Sequence, residues 1–467
     1  MKSSIGLIGL GVMGTSLARN IARNNYKIAL YNRYVKGSEE GVAQNKISRF
    51  KELSDALGFE DLTSFVASIE RPRKIILMLT AGAPVDEVIQ QLLPLLESGD
   101  LIIDAGNSHY KDSQRRFEEL NHEGILFMGL GVSGGEEGAL RGPSLMPGGS
   151  LEAYELMEDV LKAIAAKQKD GTPTSAYVGD GGAGHFVKMV HNGIEYAEMQ
   201  LIAELFEIMH RALEMSYDQI ASIFESWNQT ELKSYLLGIT AEILRTTDDQ
   251  GYVIDRILDS AAHKGTGSWS LTAAVELGQP STLMAAALFA RFSSSKRSCR
   301  TQLSQCYAFE NSTINLSLDD LKATYSFARI INHHQGLSLI QVASKKQHWE
   351  IDLGVVCSLW TEGCIIKSKL LYRLIPIVDQ QLLPLSDASV VAQFTKDRIG
   401  IQNTLASLVS SPVPTPALSG AYEFFKQSIQ SQSSAHMIQA QRDYFGAHGY
   451  ELTSDADGRL HHYNWKN

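Results

Sequence analysis

At 467 residues the chain is too long for one ordinary hydrophobic core, so two or three domains are expected. Hydrophobic residues at 44% and charged residues at 20% fit a water-soluble globular protein, and a net charge of −10 argues against a general binder of nucleic acid or of acidic membrane. Four cysteines with no CxxC pair suggest neither a disulfide framework nor a metal site, which points to a reducing, cytoplasmic compartment.

In chain order, 5–8, 27–31, 74–79, 101–104 and 126–130 read as short buried strands, with helical periodicity over 14–24 and 84–96 between them. The apolar start IGLIGLGVMG carries glycines at a regular spacing that a secretory signal does not need. No run of about 18 apolar residues offers a membrane span. Strands alternating with helices predict an α/β domain with a mostly parallel sheet over 1–179. Beyond that the strand signal fades. Helical periodicity over 186–214, 217–225, 229–246, 269–277, 281–295, 318–342, 353–374 and 387–407 predicts a large all-α domain over 180–434. Two pieces, WNQTELKSYLL from Trp227 and WTEGCIIKSKLL from Trp360, are faintly alike, as a short duplication or as chance. The turn-rich SSPVPTPALSG at 410–420 precedes a short helix. The tail at 435–467 is aromatic but poor in core residues, so it is expected to pack on its own body or on a partner subunit.

Gly9-Leu10-Gly11-Val12-Met13-Gly14 is GxGxxG directly after a predicted strand and opening a predicted helix. The first glycine permits the turn, the second the approach of a pyrophosphate, and the third close helix–strand packing. This Rossmann-like context predicts a dinucleotide. A flavin coenzyme shares the pattern, but nothing else suggests one. Where an NAD enzyme carries an acid for the ribose hydroxyls, the chain reads Asn32-Arg33-Tyr34. A guanidinium there suits the 2′-phosphate of NADP, unless Arg33 is merely a solvent-facing surface residue.

Asn107 ends a predicted strand, and Ser133-Gly134-Gly135 ends another with glycines able to form an anion-binding nest. The helix around GHFVKMVHNGIEYAEM stacks Lys188, His191, Asn192 and Glu195 on one face among apolar residues. Burial makes a lysine and a glutamate so placed a potential base and acid. The alternative is an internal salt bridge of Lys188 with Glu195 or Glu198. Lys264, Arg291, Arg442 and His448 are scattered cations that suit a phosphorylated acid if they converge, and are surface charges if they do not.

With these motifs the chain resembles the decarboxylating 6-phosphogluconate dehydrogenase family, in its longer form. The likeness runs through GLGVMG, NR, IIDAGNSHY, GVSGGEEGALRGPSLMPGG, GHFVKMVHNGIEY, KGTG, FAR, GCIIKS and QRDYFGAH. It implies oxidation and decarboxylation of 6-phosphogluconate with NADP, in the pentose phosphate pathway and without a metal. Lys188 is implied as general base and Glu195 as general acid. Asn107, Ser133, Gly134, Gly135, His191 and Asn192 are implied to hold the sugar acid, and Tyr196, Lys264 and Arg291 its phosphate. Arg442 and His448 are implied to reach that phosphate from the other subunit of a homodimer. The resemblance extends the cofactor set to Leu79, Thr80, Ala81 and Asn107. Thr80 stands where the family usually has Lys, Tyr34 where it has Thr, Gly11 for a common Ala, Ser268 for Lys and Gly449 for Thr, which bears on the preference for NADP over NAD. A β-hydroxyacid dehydrogenase acting on another acid and a non-catalytic NADP(H)-binding paralogue are the competing readings.

Overall fold

The short apolar runs become strands in the computed structural model, which describes residues 2–262, 265–307, 314, 316–455 and 457–466. They are β1 (Ile5–Ile8), β2 (Ile28–Tyr31), β3 (Leu57–Phe59), β4 (Lys74–Leu77), β5 (Leu101–Asp104), β6 (Leu126–Ser133) and β7 (Ser144–Gly149). They form one sheet in the order β3-β2-β1-β4-β5-β6-β7, parallel except for β7, which pairs antiparallel with β6. Alternate residues feed two cores. Leu7, Leu30, Ile76, Ile103 and Met128 face one side, and Ile8, Ala29, Ile75, Leu77, Ile102 and Phe127 the other. Burial on both faces explains why the strands read as unbroken apolar runs. The strand order reverses direction between β1 and β4, which opens a crevice at their C-terminal ends.

Two strands lie outside the expected set. β3 has three largely exposed residues, too few for a pattern. β7 reads SLMPGG, whose proline and glycines look like a turn but are tolerated on a sheet edge. The helix expected over 84–96 ends at Leu92, and Pro94 sits in a following 3₁₀ turn.

The Ala183–Glu207 helix joins the sheet to the helical region. A Cβ on Gly184 would lie 2.2 Å from Gly129 O and 2.6 Å from Gly148 N, so bare backbone lets the helix rest directly on β6 and β7. Its other side meets the Leu318–Gln347 helix, where Gly336 receives Ile194. The expected helix over 229–246 starts only at Tyr235, and that over 353–374 divides into Leu353–Leu359 and Lys369–Val378. The cause is common to both. Ser234 and Ser368 are extended and pair as an antiparallel bridge, with Tyr235 N donating to Lys367 O at 3.0 Å and Lys369 N to Lys233 O at 2.8 Å. The two similar segments thus share one form: a helix ending at Trp227 or Leu359, a turn, and a second helix after Lys-Ser. A helix at Arg297–Cys306 lacked an apolar stripe in the sequence and has no buried residues.

The chain divides into two units, Met1–Gly420 and Ala421–Asn467. The second holds the Ala435–Gly446 helix and a tail gathered on Asp443. One carboxylate oxygen accepts from Gly449 N at 3.0 Å and His462 Nδ1 at 2.8 Å, and the other from Tyr463 N at 3.1 Å and Trp465 Nε1 at 2.8 Å. A buried acid thus organises a segment with little apolar core.

Candidate active site

The glycine turn joins β1 to the Val12–Arg23 helix. Gly9 has φ +97° and a Cβ there would meet Met78 O at 2.4 Å, while one on Gly14 would meet Gly9 O at 1.9 Å. A Cβ on Gly11 meets nothing within 4 Å. The first and third glycines are therefore demanded by packing, and the second faces the open space a pyrophosphate needs beside the helix N-terminus. Leu10 is buried and Val12 exposed, so this turn contributes backbone more than side chains. Asn32 Oδ1 accepts from Leu10 N at 3.4 Å and ties the end of β2 to the turn. Arg33 next to it is paired with Glu39 at 2.9 Å. On the other side of the crevice Leu79 and Ala81 are half-buried and Thr80 is exposed.

Lys188 lies one helical turn beyond Gly184, and a Cβ on Gly131 of β6 would come within 2.7 Å of Lys188 Cβ. The amine donates to Asn192 Oδ1 at 2.6 Å and to Ser133 Oγ at 3.4 Å. His191 Nδ1 lies 3.4 Å from Lys188 Nζ and 3.6 Å from Glu195 Oε2, so the imidazole stands between amine and carboxyl. Its Nε2 is 3.2 Å from Ser133 Oγ. Burial pushes the Lys188 amine below its ordinary value, against the pull of Glu195. Burial pushes the Glu195 carboxyl above its ordinary value, against Lys188 and Arg291. His191 falls well below its usual range through burial and then through Lys188, so the ring is neutral and its contact with Glu195 is not an ion pair. The alternative salt bridge with Glu198 is corrected: that carboxylate is buried against Arg329 at 2.6 Å and accepts from Tyr325 Oη at 2.9 Å.

Asn107 joins Ser108, His185, Lys188, Asn192 and Trp269 around one small cleft. Gly134 and Gly135 both have positive φ, +112° and +65°, where Gly134 caps and Gly135 opens a short helix. Tyr196 carries the Arg291 guanidinium 3.7 Å above its ring. A Cβ on Gly267 would strike that ring at 2.5 Å, so the start of the Thr266–Glu276 helix packs directly on Tyr196. Lys264 lies outside the described residues. Arg442 and His448 belong to the second unit, where the Arg442 guanidinium donates to Gln439 at 2.8 Å.

Three positioning residues had escaped the sequence. Burial keeps His185 neutral. Its Nε2–H donates to Gly106 O at 3.1 Å and Nδ1 accepts from Ser113 at 2.6 Å, which holds the strand end bearing Asn107. Arg116, only 1% exposed, reaches Asp104 at 3.0 Å, Asp86 at 2.7 Å and Gly82 O at 3.1 Å, clamping the loops after β4 and β5 together. Trp269 gave only its closeness to KGTG as a signal. His185 lies inside GHFVKMVHNGIEYAEM but off the face that carries Lys188, and Arg116 in an ordinary charged helix.

A glycine turn open to a pyrophosphate at the switch point of a parallel sheet, and a buried amine near a carboxyl, are the parts of a nicotinamide-dependent dehydrogenase of hydroxy acids. Comparison with known proteins narrows the class. The profile described as the NAD binding domain of 6-phosphogluconate dehydrogenase matches residues 4–179, and that of the 6-phosphogluconate dehydrogenase C-terminal domain matches 184–465. The decarboxylating 6-phosphogluconate dehydrogenase of Lactococcus lactis is 40% identical over 478 residues, with 99% of both chains covered. That of Treponema pallidum is 43% identical, covering 100% of this chain and 97% of its own. The Plasmodium falciparum 6-phosphogluconate dehydrogenase, solved in apo form and with NADP+ or 6-phosphogluconate, superposes with a TM-score of 0.93 at 35% identity over 99% of this chain and 100% of its own. The chain belongs to the 6-phosphogluconate dehydrogenase family.

Proposed function

We propose that the chain oxidises and decarboxylates 6-phosphogluconate to ribulose 5-phosphate and CO2, reducing NADP. The observation that carries this is the placing of Lys188 and Glu195 on either side of His191, both displaced by burial toward the range useful for proton transfer. The coenzyme fits the glycine turn, where Gly11 leaves room for a pyrophosphate and Asn32 and Arg33 stand at the end of β2 for the adenosine ribose. When bound, its nicotinamide accepts the hydride from C3 of the substrate.

Lys188 takes the proton of the 3-hydroxyl, its neutral amine favoured by burial and oriented by Asn192 and Ser133. The resulting 3-keto acid loses its carboxylate as CO2 while the protonated Lys188 polarises the ketone and gives its proton to that oxygen, leaving an enediol. Glu195, its carboxyl pushed above its ordinary value by burial, gives its proton to C1 of the enediol while Lys188 takes the proton of the enediol hydroxyl, leaving ribulose 5-phosphate. Asn107, His191, Asn192, Ser133 and the Gly134–Gly135 nest hold the sugar acid, while Tyr196, Lys264 and Arg291 hold its phosphate. Binding energy from that remote phosphate positions C3.

The active unit in this reading is a cytoplasmic homodimer whose tails bring Arg442 and His448 to the neighbouring site. Supporting it, Met437, Ile438, Tyr444, Phe445 and Tyr463 of the tail unit are exposed, an unusual amount of apolar surface for so short a segment. Initial rates with 6-phosphogluconate against gluconate test the substrate. The phosphorylated acid is expected to be preferred by at least about 100-fold in kcat/KM, from charge-assisted phosphate contacts; equal rates would reject it. Sedimentation at micromolar concentration tests the dimer.

A further inference from the structure

We propose that Glu39 sets the coenzyme selectivity of this chain, as the ribose-binding carboxylate that the end of β2 lacks and as a resident competitor of a 2′-phosphate. The inference rests on the dehydrogenase reading above and deepens it. After Asn32-Arg33-Tyr34 the backbone folds back on itself. Val35 N donates to Glu39 O at 3.0 Å and Glu39 N to Val35 O at 2.8 Å, which returns Glu39 to the strand end. There its carboxylate accepts from Asn32 Nδ2 at 2.8 Å, from Arg33 Nη2 at 2.9 Å and from Arg33 Nε at 3.2 Å. Asn32 is itself tied to Leu10 N in the glycine turn. An unbroken chain of contacts thus runs from the pyrophosphate turn to the Glu39 carboxylate. That is the neighbourhood in which dinucleotide enzymes place an acid for the ribose hydroxyls.

The carboxylate is kept ionised, first by the Arg33 hydrogen bond and then by Asn32. The next residue braces the hairpin: Glu40 accepts from Gly37 N at 2.7 Å and from the Tyr34 hydroxyl at 3.3 Å. The Tyr34 hydroxyl is thereby committed to Glu40, and the Arg33 guanidinium to Glu39. A 2′-phosphate has to share or displace a like charge to reach Arg33, a repulsive element that acts against NADP alone. An unphosphorylated ribose meets no such conflict and finds an ionised acceptor for its hydroxyls.

The test compares the wild-type enzyme with Glu39→Gln and Glu40→Gln. Affinities for 2′,5′-ADP and 5′-AMP are measured by calorimetry, and kcat/KM for NADP and NAD at matched 6-phosphogluconate. Glu39→Gln is expected to bind 2′,5′-ADP about threefold tighter and 5′-AMP about threefold more weakly, so that the NADP-to-NAD ratio rises about tenfold. Glu40→Gln loosens the same hairpin without freeing Arg33 and is expected to move both affinities the same way. A ratio that stays constant or falls in Glu39→Gln overturns the proposal, as does a common shift of both nucleotides. Because the nucleotide affinities need no turnover, a wild-type protein that reduces neither coenzyme refutes the dehydrogenase reading while leaving the Glu39 result to stand or fall by itself.

Discussion

Gly131→Ala is the substitution whose consequence follows most directly from the packing. An added Cβ would lie 2.7 Å from Lys188 Cβ, 3.0 Å from Gly184 O and 3.2 Å from Met146 Cβ, whereas ordinary contact begins at 3.4 Å. The helix carrying Lys188 must therefore retreat from β6 by about 0.7 Å, the difference between 3.4 and 2.7 Å. Ser133 lies on β6 and does not travel with the helix. Adding that shift to the 3.4 Å Lys188–Ser133 separation gives about 4.1 Å, beyond hydrogen-bond reach. Asn192 does travel with the helix, so its contact with Lys188 persists. A displacement approaching 1 Å at a reacting group costs up to about 100-fold, so kcat/KM for 6-phosphogluconate is expected to fall about 10- to 100-fold. The glycine turn lies elsewhere in the crevice, and affinity for NADPH is expected to stay within about twofold. The assay pairs steady-state rates with fluorescence titration of NADPH. Wild-type kcat/KM in a folded Gly131→Ala protein would refute the reasoning, and so would an equal loss of NADPH affinity.

Lys188→Ala is expected to lower the oxidation rate by at least about 1,000-fold through loss of the base, with NADPH binding retained by equilibrium titration. The pH profile of kcat, which includes the final protonation, is expected to be bell-shaped. The base must be deprotonated, so rate rises with pH through a limb below the ordinary lysine value of 10.5, and the acid must be protonated, so rate falls through a limb above the ordinary glutamate value of 4.5. The two apparent pKa values belong to the coupled pair, and a profile with either limb outside that span contradicts the burial argument. Asp443→Ala removes the acceptor of four hydrogen bonds in the tail. If the tail completes a neighbouring site as proposed, the substitution is expected to raise KM for 6-phosphogluconate and lower the sedimentation coefficient, with near-wild-type NADPH affinity, as read by kinetics and sedimentation.

The parts of this protein with a strong period were legible from residue order. The five apolar runs were strands because both faces of the sheet are covered, and the 3.6-residue spacing of Lys188, His191, Asn192 and Glu195 was enough to gather them. What escaped depended on contacts distant in sequence. Periodicity carries no warning that Ser234 and Ser368 will pair and break two helices. It also says nothing of the Pro- and Gly-containing β7, which is held as an edge by β6. Arg116 shares its helix with Arg115, yet only one is buried, because only one points at Asp104. Glu39 was hidden differently: it lies seven residues beyond Asn32, and only a reverse turn returns its carboxylate to the end of β2.

In the proposed mechanism one amine and one carboxyl, both within reach of a neutral imidazole, serve oxidation, decarboxylation and the final protonation in turn. Its most direct test is the stoichiometry of NADPH formed to CO2 released from 6-phosphogluconate in the wild type and in Glu195→Gln. One NADPH per CO2 is expected in the wild type. In Glu195→Gln both products still appear in a first turnover, but ribulose 5-phosphate forms slowly and further turnover is retarded. Loss of the first oxidation itself in that variant, or NADPH without CO2 in the wild type, would contradict it.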